Sequence, residues 1–390
     1  MGNCICYSSD TIIIQKDIYG NIQFEGFINN NQRTGYGIEY YENGNIKYKG
    51  QWLNDMKNGK GTLFRLNKNK LYEGSFIDNK RYNYGIEYEN NNIIIYEGNW
   101  ENNVKSGYGI QYKDSQKIYD GYWNDGIYNG LGKLYYSNNN LKFNGTFYLG
   151  YFYKGIEYYD NNNIKFNGDY TMGQYNTGTL YLDTDKNNKY YTGDFENNFK
   201  HGYGIEYNEY LEIIYDGQWL NNLKNGEGIE YDNNKIIYNG IWKNNLKHKY
   251  GKQYDTNNTL IYDGEYHNNE KHGKGIYINK SYKYKGEWIN NNKSGYGQEF
   301  FNNNLIYDGN FYNNLKHGDG ILYDNNQKLL YKGQFKDDQK NGNGVYYWEN
   351  GNPLIKGTWV NNQVHGYAIE YDMNNNIIYK GNWINNNIKN

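Results

Sequence analysis

The sequence predicts an all-β fold: an elongated, solenoid-like stack of antiparallel β-hairpins forming one long twisted sheet. Three observations predict it. A phrase built on aromatic-x-Gly-x-aromatic marks sixteen units in 390 residues, strictly in fourteen of them, with its central glycines 22 to 25 residues apart. A Gly-x-Gly-x-x-aromatic phrase follows about nine residues later in the other half of each unit but the last, with the leading Gly lost in some units, as at Asn83 and Lys249, and the second Gly replaced by Ala368 in the unit of Gly357. Five residues after each central glycine stands Gly, Asn or Asp, the types that enter positive φ most cheaply.

The first phrase reads Tyr48-Lys-Gly50-Gln-Trp52, then Tyr96-Glu-Gly98-Asn-Trp100, and recurs around Gly217 and Trp219, Gly286 and Trp288, and Gly381 and Trp383. Its aromatics and glycine share one face of a strand, and a bare glycine leaves room for a neighbouring ring. The second phrase reads Gly35-Tyr-Gly37-Ile-Glu-Tyr40. Its Ile and Tyr share a face, and Glu39 points the other way. Period-two alternation with a turn between the phrases is the pattern of a hairpin. Rings and Ile are expected to form the core stripe on one face, with the glutamates of Ile-Glu-Tyr solvated. The two phrases hold 41 of the 48 glycines and eight of the nine tryptophans, so the repeat accounts for the composition. At about 4.8 Å per strand, the stack would be roughly 150 Å long. Residues 1–19 are read as a leader and 20–390 as the array, its last unit truncated.

The phrases resemble the MORN repeat, the membrane occupation and recognition nexus, whose pattern is Tyr-x-Gly-x-Trp-x-x-Gly followed by Gly-x-Gly-x-x-x-Tyr. The resemblance covers residues 20–390. It departs in two places: the family's turn Gly is mostly Asn or Asp here, and the second phrase's aromatic is slightly offset. It implies a fold of stacked hairpins and a role in binding and organising. Where family members are enzymes, a separate domain carries the chemistry. No such domain is read in this chain, so no enzyme is expected.

The amino terminus reads Met1-Gly2-Asn3-Cys4-Ile5-Cys6. Gly2 is an N-myristoylation acceptor, and Cys4 and Cys6 are palmitoylation candidates. One myristoyl chain binds membranes only marginally. A second anchor is needed, and no polybasic patch is near. The motif prefers Ser or Thr where Cys6 stands. These two cysteines are the chain's entire complement, which excludes a disulfide framework.

Other chemistry is weakly signalled. Lys+Arg number 41 against 43 Asp+Glu, so no global field attracts nucleic acid. Lys243, Lys247, Lys249 and Lys252 cluster in sequence and are candidates for anionic headgroups. His201, His248, His272, His317 and His365 recur at one repeat position, eight residues after a central glycine. Equivalent positions lie about 10 Å apart, too far to share a metal. His267 has no evident partner. No cofactor or metal site is expected, and no Gly-x-Gly run is followed by the helix a phosphate loop requires.

The expectation is a non-enzymatic scaffold, anchored by acyl groups to the cytoplasmic face of the plasma or ciliary membrane, binding proteins or phosphoinositides, with a homodimer among its expected assemblies. The alternatives are a cytoskeletal or ciliary scaffold without a lipid anchor, and an accessory subunit of a phosphoinositide kinase.

Overall fold

The computed structural model describes residues 11–184 and 188–389. Among these residues there are β-strands, one 3-10 turn at Asn90–Asn92 and no α-helix. The chain divides into two units, Met1–Asn198 and Phe199–Asn390. Each is an antiparallel meander. In the first, Ile22–Asn29 pairs with Gln32–Tyr40, which pairs with Ile46–Leu53, and so on to Lys189–Glu196. In the second, Phe199–Tyr207 pairs with Ile213–Leu220, and the meander runs to Asn387–Ile388. The segment 1–19, read as a leader, contributes a strand: Ile12–Lys16 pairs with Ile22–Asn29. Its β-branched run Ile12, Ile13, Ile14 suits that role.

The hairpin turns follow the expected chemistry and exceed it. Both central residues lie at positive φ, as in Asn54 at 50° and Asp55 at 63°, the geometry of a type I′ turn. The side chain does more than permit that backbone. Asp55 Oδ1 accepts the Arg33 N–H at 2.8 Å while the Asp55 N–H donates to the Arg33 carbonyl at 3.1 Å. Asn79 holds Lys57, Asn222 holds Lys200 and Asn314 holds Lys293 in the same way. Each turn is thereby tied to the preceding hairpin. Gly126 and Gly150 occupy the same position and keep the main-chain bond alone.

Register places the glycines in a continuous row. Gly26 faces Gly37, Gly37 faces Gly50, and Gly50 faces Gly61. In the second unit Gly217 faces Gly228 and Gly228 faces Gly240. Over each pair lies the ring of the first aromatic. A Cβ on Gly228 would stand 2.1 Å from the Tyr215 hydroxyl oxygen, far inside contact distance. That hydroxyl donates to the Gln218 carbonyl at 3.1 Å, and Tyr215 is wholly buried.

The rings then interlock between hairpins. Tyr48 meets Trp52 edge-on at 5.2 Å and Phe76 at 5.4 Å, and Tyr72 meets Phe76 and Trp100 in the same way. Edge-to-face pairs add about 0.5–1.5 kcal/mol each beyond burial. The Trp52 and Trp219 indole N–H groups donate to the carbonyls of Gly37 and Gly204. A basic residue caps the rings in most hairpins. The Arg81 guanidinium lies 4.8 Å from the Tyr72 and Trp100 centroids, and the Lys224 ammonium lies 4.7 Å from Tyr215 and 4.8 Å from Trp242. In three consecutive hairpins a ring replaces the cation: Tyr128, Phe152 and Tyr175 stack flat on Tyr119, Phe143 and Phe166 at 3.8, 4.0 and 4.1 Å.

One expectation is corrected here. Because Gly37 faces Gly50, the residue opposite Tyr48 is Glu39, while Ile38 faces Lys49. Glu39 therefore lies on the aromatic face and Ile38 on the other. The glutamate row is half-buried and ion-paired instead of solvated. Lys57 Nζ is 3.0 Å from Glu39, Arg81 is 2.8 Å from Glu87, and Lys293 is 2.6 Å from Glu299. The cations over the rings are held from the other side by these carboxylates.

One unit departs from the pattern in a coordinated way. Ala368 replaces the glycine opposite Gly357, and Ile355 replaces the tyrosine that would lie over it. Val364, buried, stands where other units carry the cation. A methyl at 368 excludes a tyrosine at 355, and without that ring a capping cation loses its partner.

Two outcomes follow. Gly228→Ala should lower the urea midpoint by the equivalent of about 1–3 kcal/mol, the usual cost of overpacking. Tyr215→Ile in the same chain should recover part of that loss, copying the native Ile355 and Ala368 pairing; strictly additive effects in a double-mutant cycle would refute the steric coupling. The second concerns pH. Burial pushes the Glu299 carboxyl up, but Lys293, Tyr282 and Lys316 outweigh it and hold the carboxyl below its ordinary value of 4.5. A lowered native-state value means this stabilisation is complete above pH 4.5 and is lost as pH falls through the native value. Glu299→Gln should flatten that acid limb, as read by denaturation midpoints at pH 3 to 6.

Candidate functional site

The face opposite the rings is not needed to close the core, and it carries the functional candidates. Its centre is the row of residues flanking the glycines. In the second unit register brings Asp308, Ile321, Lys332, Val345, Lys356, Ile369 and Lys380 side by side, one per strand. Aliphatic and basic residues thus alternate at about 4.8 Å. A groove of about 1070 Å³ runs along this row, lined by Ile321, Lys332, Val345, Lys356 and Ile369 and flanked by Tyr296 and Tyr367. Both tyrosines are about half exposed, at 51%. The Tyr296 hydroxyl donates to Asp308, which fixes one end of the groove and occupies its carboxylate. Lys332, Lys356 and Lys380 are exposed, and among the described residues none of the three lies in an ion pair.

The same row in the first unit has the opposite balance. Glu25, Ile38, Lys49, Thr62, Glu73, Ile86, Glu97, Ile110 and Asp120 follow one another across the strands. Its acids are engaged. Tyr40, Tyr88 and Tyr112 donate to Glu25, Glu73 and Glu97 at 3.1, 3.2 and 2.5 Å. Lys70 pairs with Glu73 at 2.6 Å and Lys117 with Asp120 at 2.9 Å. A smaller groove of about 410 Å³ lies there, between Tyr36 and Tyr84.

The lysines that cluster in sequence are distributed by register. Lys247 faces Trp242, with its ammonium 4.7 Å from the Tyr238 centroid and 4.0 Å from Glu230. Burial holds its pKa below the usual lysine range. Lys252 faces Asn239 and Asp263 on the opposite face, 3.9 Å from the Asp263 carboxylate. Lys243 and Lys249 are exposed, Lys249 at a φ of 53°. The four do not converge on one point. Gly50, Gly98, Gly217 and Gly286 lie in the glycine row. So does Gly381, opposite Ala368. Trp52, Trp100, Trp219, Trp288 and Trp383 are buried on the ring face. Gly2, Cys4 and Cys6 lie outside the described residues.

The histidines hold a feature that spacing missed. Lys249 faces Tyr266, so the next position sets His248 opposite His267. Their ring centroids are 5.5 Å apart, and His267 is 5.7 Å from His272 on its other side. Sequence spacing measured the ladder of equivalent positions and overlooked the strand between them. Burial, then Lys243, His267 and Lys249, push the His248 pKa down. Among the described residues, no group of three or more His, Cys, Asp or Glu is placed to hold a metal ion.

Comparison with known proteins is consistent with this geometry. The family described as MORN repeat matches at residues 24–46, 48–65, 96–116, 119–141, 191–208, 215–235, 238–259, 262–281, 284–305, 307–328, 331–352 and 356–377. These are twelve stretches, where sixteen units were expected; the units of Gly74, Gly145, Gly168 and Gly381 fall outside them. No curated protein matches the chain significantly. One similar solved structure is the Tc holotoxin pore of Photorhabdus luminescens carrying the TccC3-D651A mutation. It is 10% identical, with 96% of this chain and 18% of that chain covered at a TM-score of 0.17, too low to bear on the fold. The matched stretches span most of the chain and fall on the hairpins described above: this chain belongs to the MORN repeat family.

Proposed function

We propose that this chain is a non-enzymatic scaffold, held to the cytosolic face of a membrane by acyl groups on Gly2, Cys4 and Cys6. It recruits protein partners along the face opposite its rings. The observation that carries the binding reading is the pair of exposed lysines Lys332 and Lys356, alternating with Ile321, Val345 and Ile369 along a preformed groove, with Lys380 next in the row beyond its lining. The core uses its own cations, on the other face. A row of exposed lysines in a groove with an aliphatic floor fits an extended segment that is both acidic and apolar. The membrane part of the proposal rests on the position of Gly2, Cys4 and Cys6 in the sequence.

Two measurements test these parts separately. Wild type expressed in a eukaryotic cell should carry acyl mass and pellet with membranes. Gly2→Ala should be unmodified and soluble, and Cys4→Ser with Cys6→Ser should keep the myristoyl mass but partition weakly. Equal solubility and unmodified mass in all forms would leave a scaffold without a lipid anchor. For the groove, an acidic-aliphatic peptide probe such as alternating Glu and Leu should bind the wild-type chain. The affinity should weaken with salt and fall at least tenfold in Lys332→Glu with Lys356→Glu. Binding unaltered by the charge reversal would remove the groove from the proposal.

A further inference from the structure

We propose that His267 and a flanking imidazole chelate a divalent transition-metal ion of the zinc, nickel or copper type, at the turn edge of two consecutive hairpins in the second unit. His248 comes from the hairpin Lys235–Lys243 to Leu246–Tyr254, and His267 and His272 from the next, Leu260–His267 to Glu270–Asn279.

The geometry carries the proposal. Two imidazoles bound to one tetrahedral zinc, with nitrogens about 2.0–2.1 Å from the metal, have ring centroids about 5 Å apart. The observed separations are 5.5 Å for His248 with His267 and 5.7 Å for His267 with His272, with the planes tilted by 49° and 51°. Small side-chain rotations close either pair onto a common ion. His267 is exposed and belongs to both pairs. The Nδ1 atoms of His248 and His272 are buried against the protein without a hydrogen-bond partner. Nδ1 is thus the inward atom, which leaves Nε2 as the nitrogen available to an ion. Imidazole nitrogen suits zinc, copper and nickel and does not suit calcium or magnesium.

The electrostatic surroundings are mixed. Lys243 and Lys249 stand near His248 and oppose a dication. Glu270 lies directly across from His267, and Glu265 is on the same strand with its carboxylate accepting the Lys274 N–H at 3.0 Å. The chelate is accordingly two imidazoles completed by water, open to solvent. Because His248 and His267 come from different hairpins, the ion would clip one repeat to the next. His201 and His317 occupy the same repeat position as His248 and His272 but have no second histidine across from them, which makes them internal controls.

The test uses the full chain without a histidine tag, titrated with zinc chloride alone and with nickel chloride alone at pH 7.5 by calorimetry. Wild type should take up one equivalent and show a higher thermal midpoint with metal. His267→Ala should lose at least tenfold in affinity together with that thermal shift, while its metal-free midpoint stays at the wild-type value. His248→Ala and His272→Ala should each leave a weaker site, and the two together should abolish it. His201→Ala and His317→Ala should leave uptake unchanged. Uptake in His267→Ala equal to wild type, or no uptake by wild type, would overturn the proposal. A loss in His317→Ala equal to that in His267→Ala would overturn it as well.

Discussion

The structure depends on one contact: a buried tyrosine or phenylalanine ring lying flat over two glycines that face each other on neighbouring strands. The ring needs both Cβ positions empty, and the glycines need the ring to bury their backbone. Tyr215 over Gly217 and Gly228 shows the geometry, with no room for a methyl. The tyrosine hydroxyl turns back to its own strand's carbonyl, so the polar end is satisfied where it is buried. Ile355 with Ala368 shows the same constraint by its exception. When the methyl appears, the tyrosine is gone, and the cation above it has become Val364.

From that contact the two faces of the sheet acquire different work. Glycine pairing sets the register, and register places Glu39, Glu87, Glu230 and Glu299 among the rings, where they hold the cations that cap them. A sheet one strand thick has no second layer to shield its core. The aliphatic stems of lysine and arginine supply that cover, with the charge retained by a carboxylate at the rim. The opposite face is relieved of this duty. Its tyrosines Tyr296 and Tyr367 are half exposed, Lys332, Lys356 and Lys380 lie in no ion pair among the described residues, and Ile321, Val345 and Ile369 line its groove. A repeat array built this way can vary one face for partners while the other face keeps the fold.

The candidate sites were legible to different degrees. Lys243, Lys247, Lys249 and Lys252 are near in sequence, yet strand alternation sends Lys247 to the rings and Lys252 to the other face. Lys332, Lys356 and Lys380 are 24 residues apart in sequence and stand in one row across the sheet, since every second strand repeats the same position. A reading by repeat column would have found them. The same column reading misled for the histidines: it compared His248 with His272 and left out His267, which an intervening strand inserts between them.

The sequence by itself determined the strands, the turns and the stacking of hairpins, because all three are local. Alternation, positive-φ residues and a period near 23 act within a few residues of one another. Only the tertiary structure decided which face each phrase buries. That choice follows from glycine meeting glycine across strands, a pairing of residues about eleven positions apart that no single strand contains. It reversed the expected places of Ile and Glu, gave the turn asparagines a second bond to the preceding hairpin, and set three histidines side by side. Each of these depends on which residue of one strand stands opposite which residue of the next, and strand alternation alone is silent on that register.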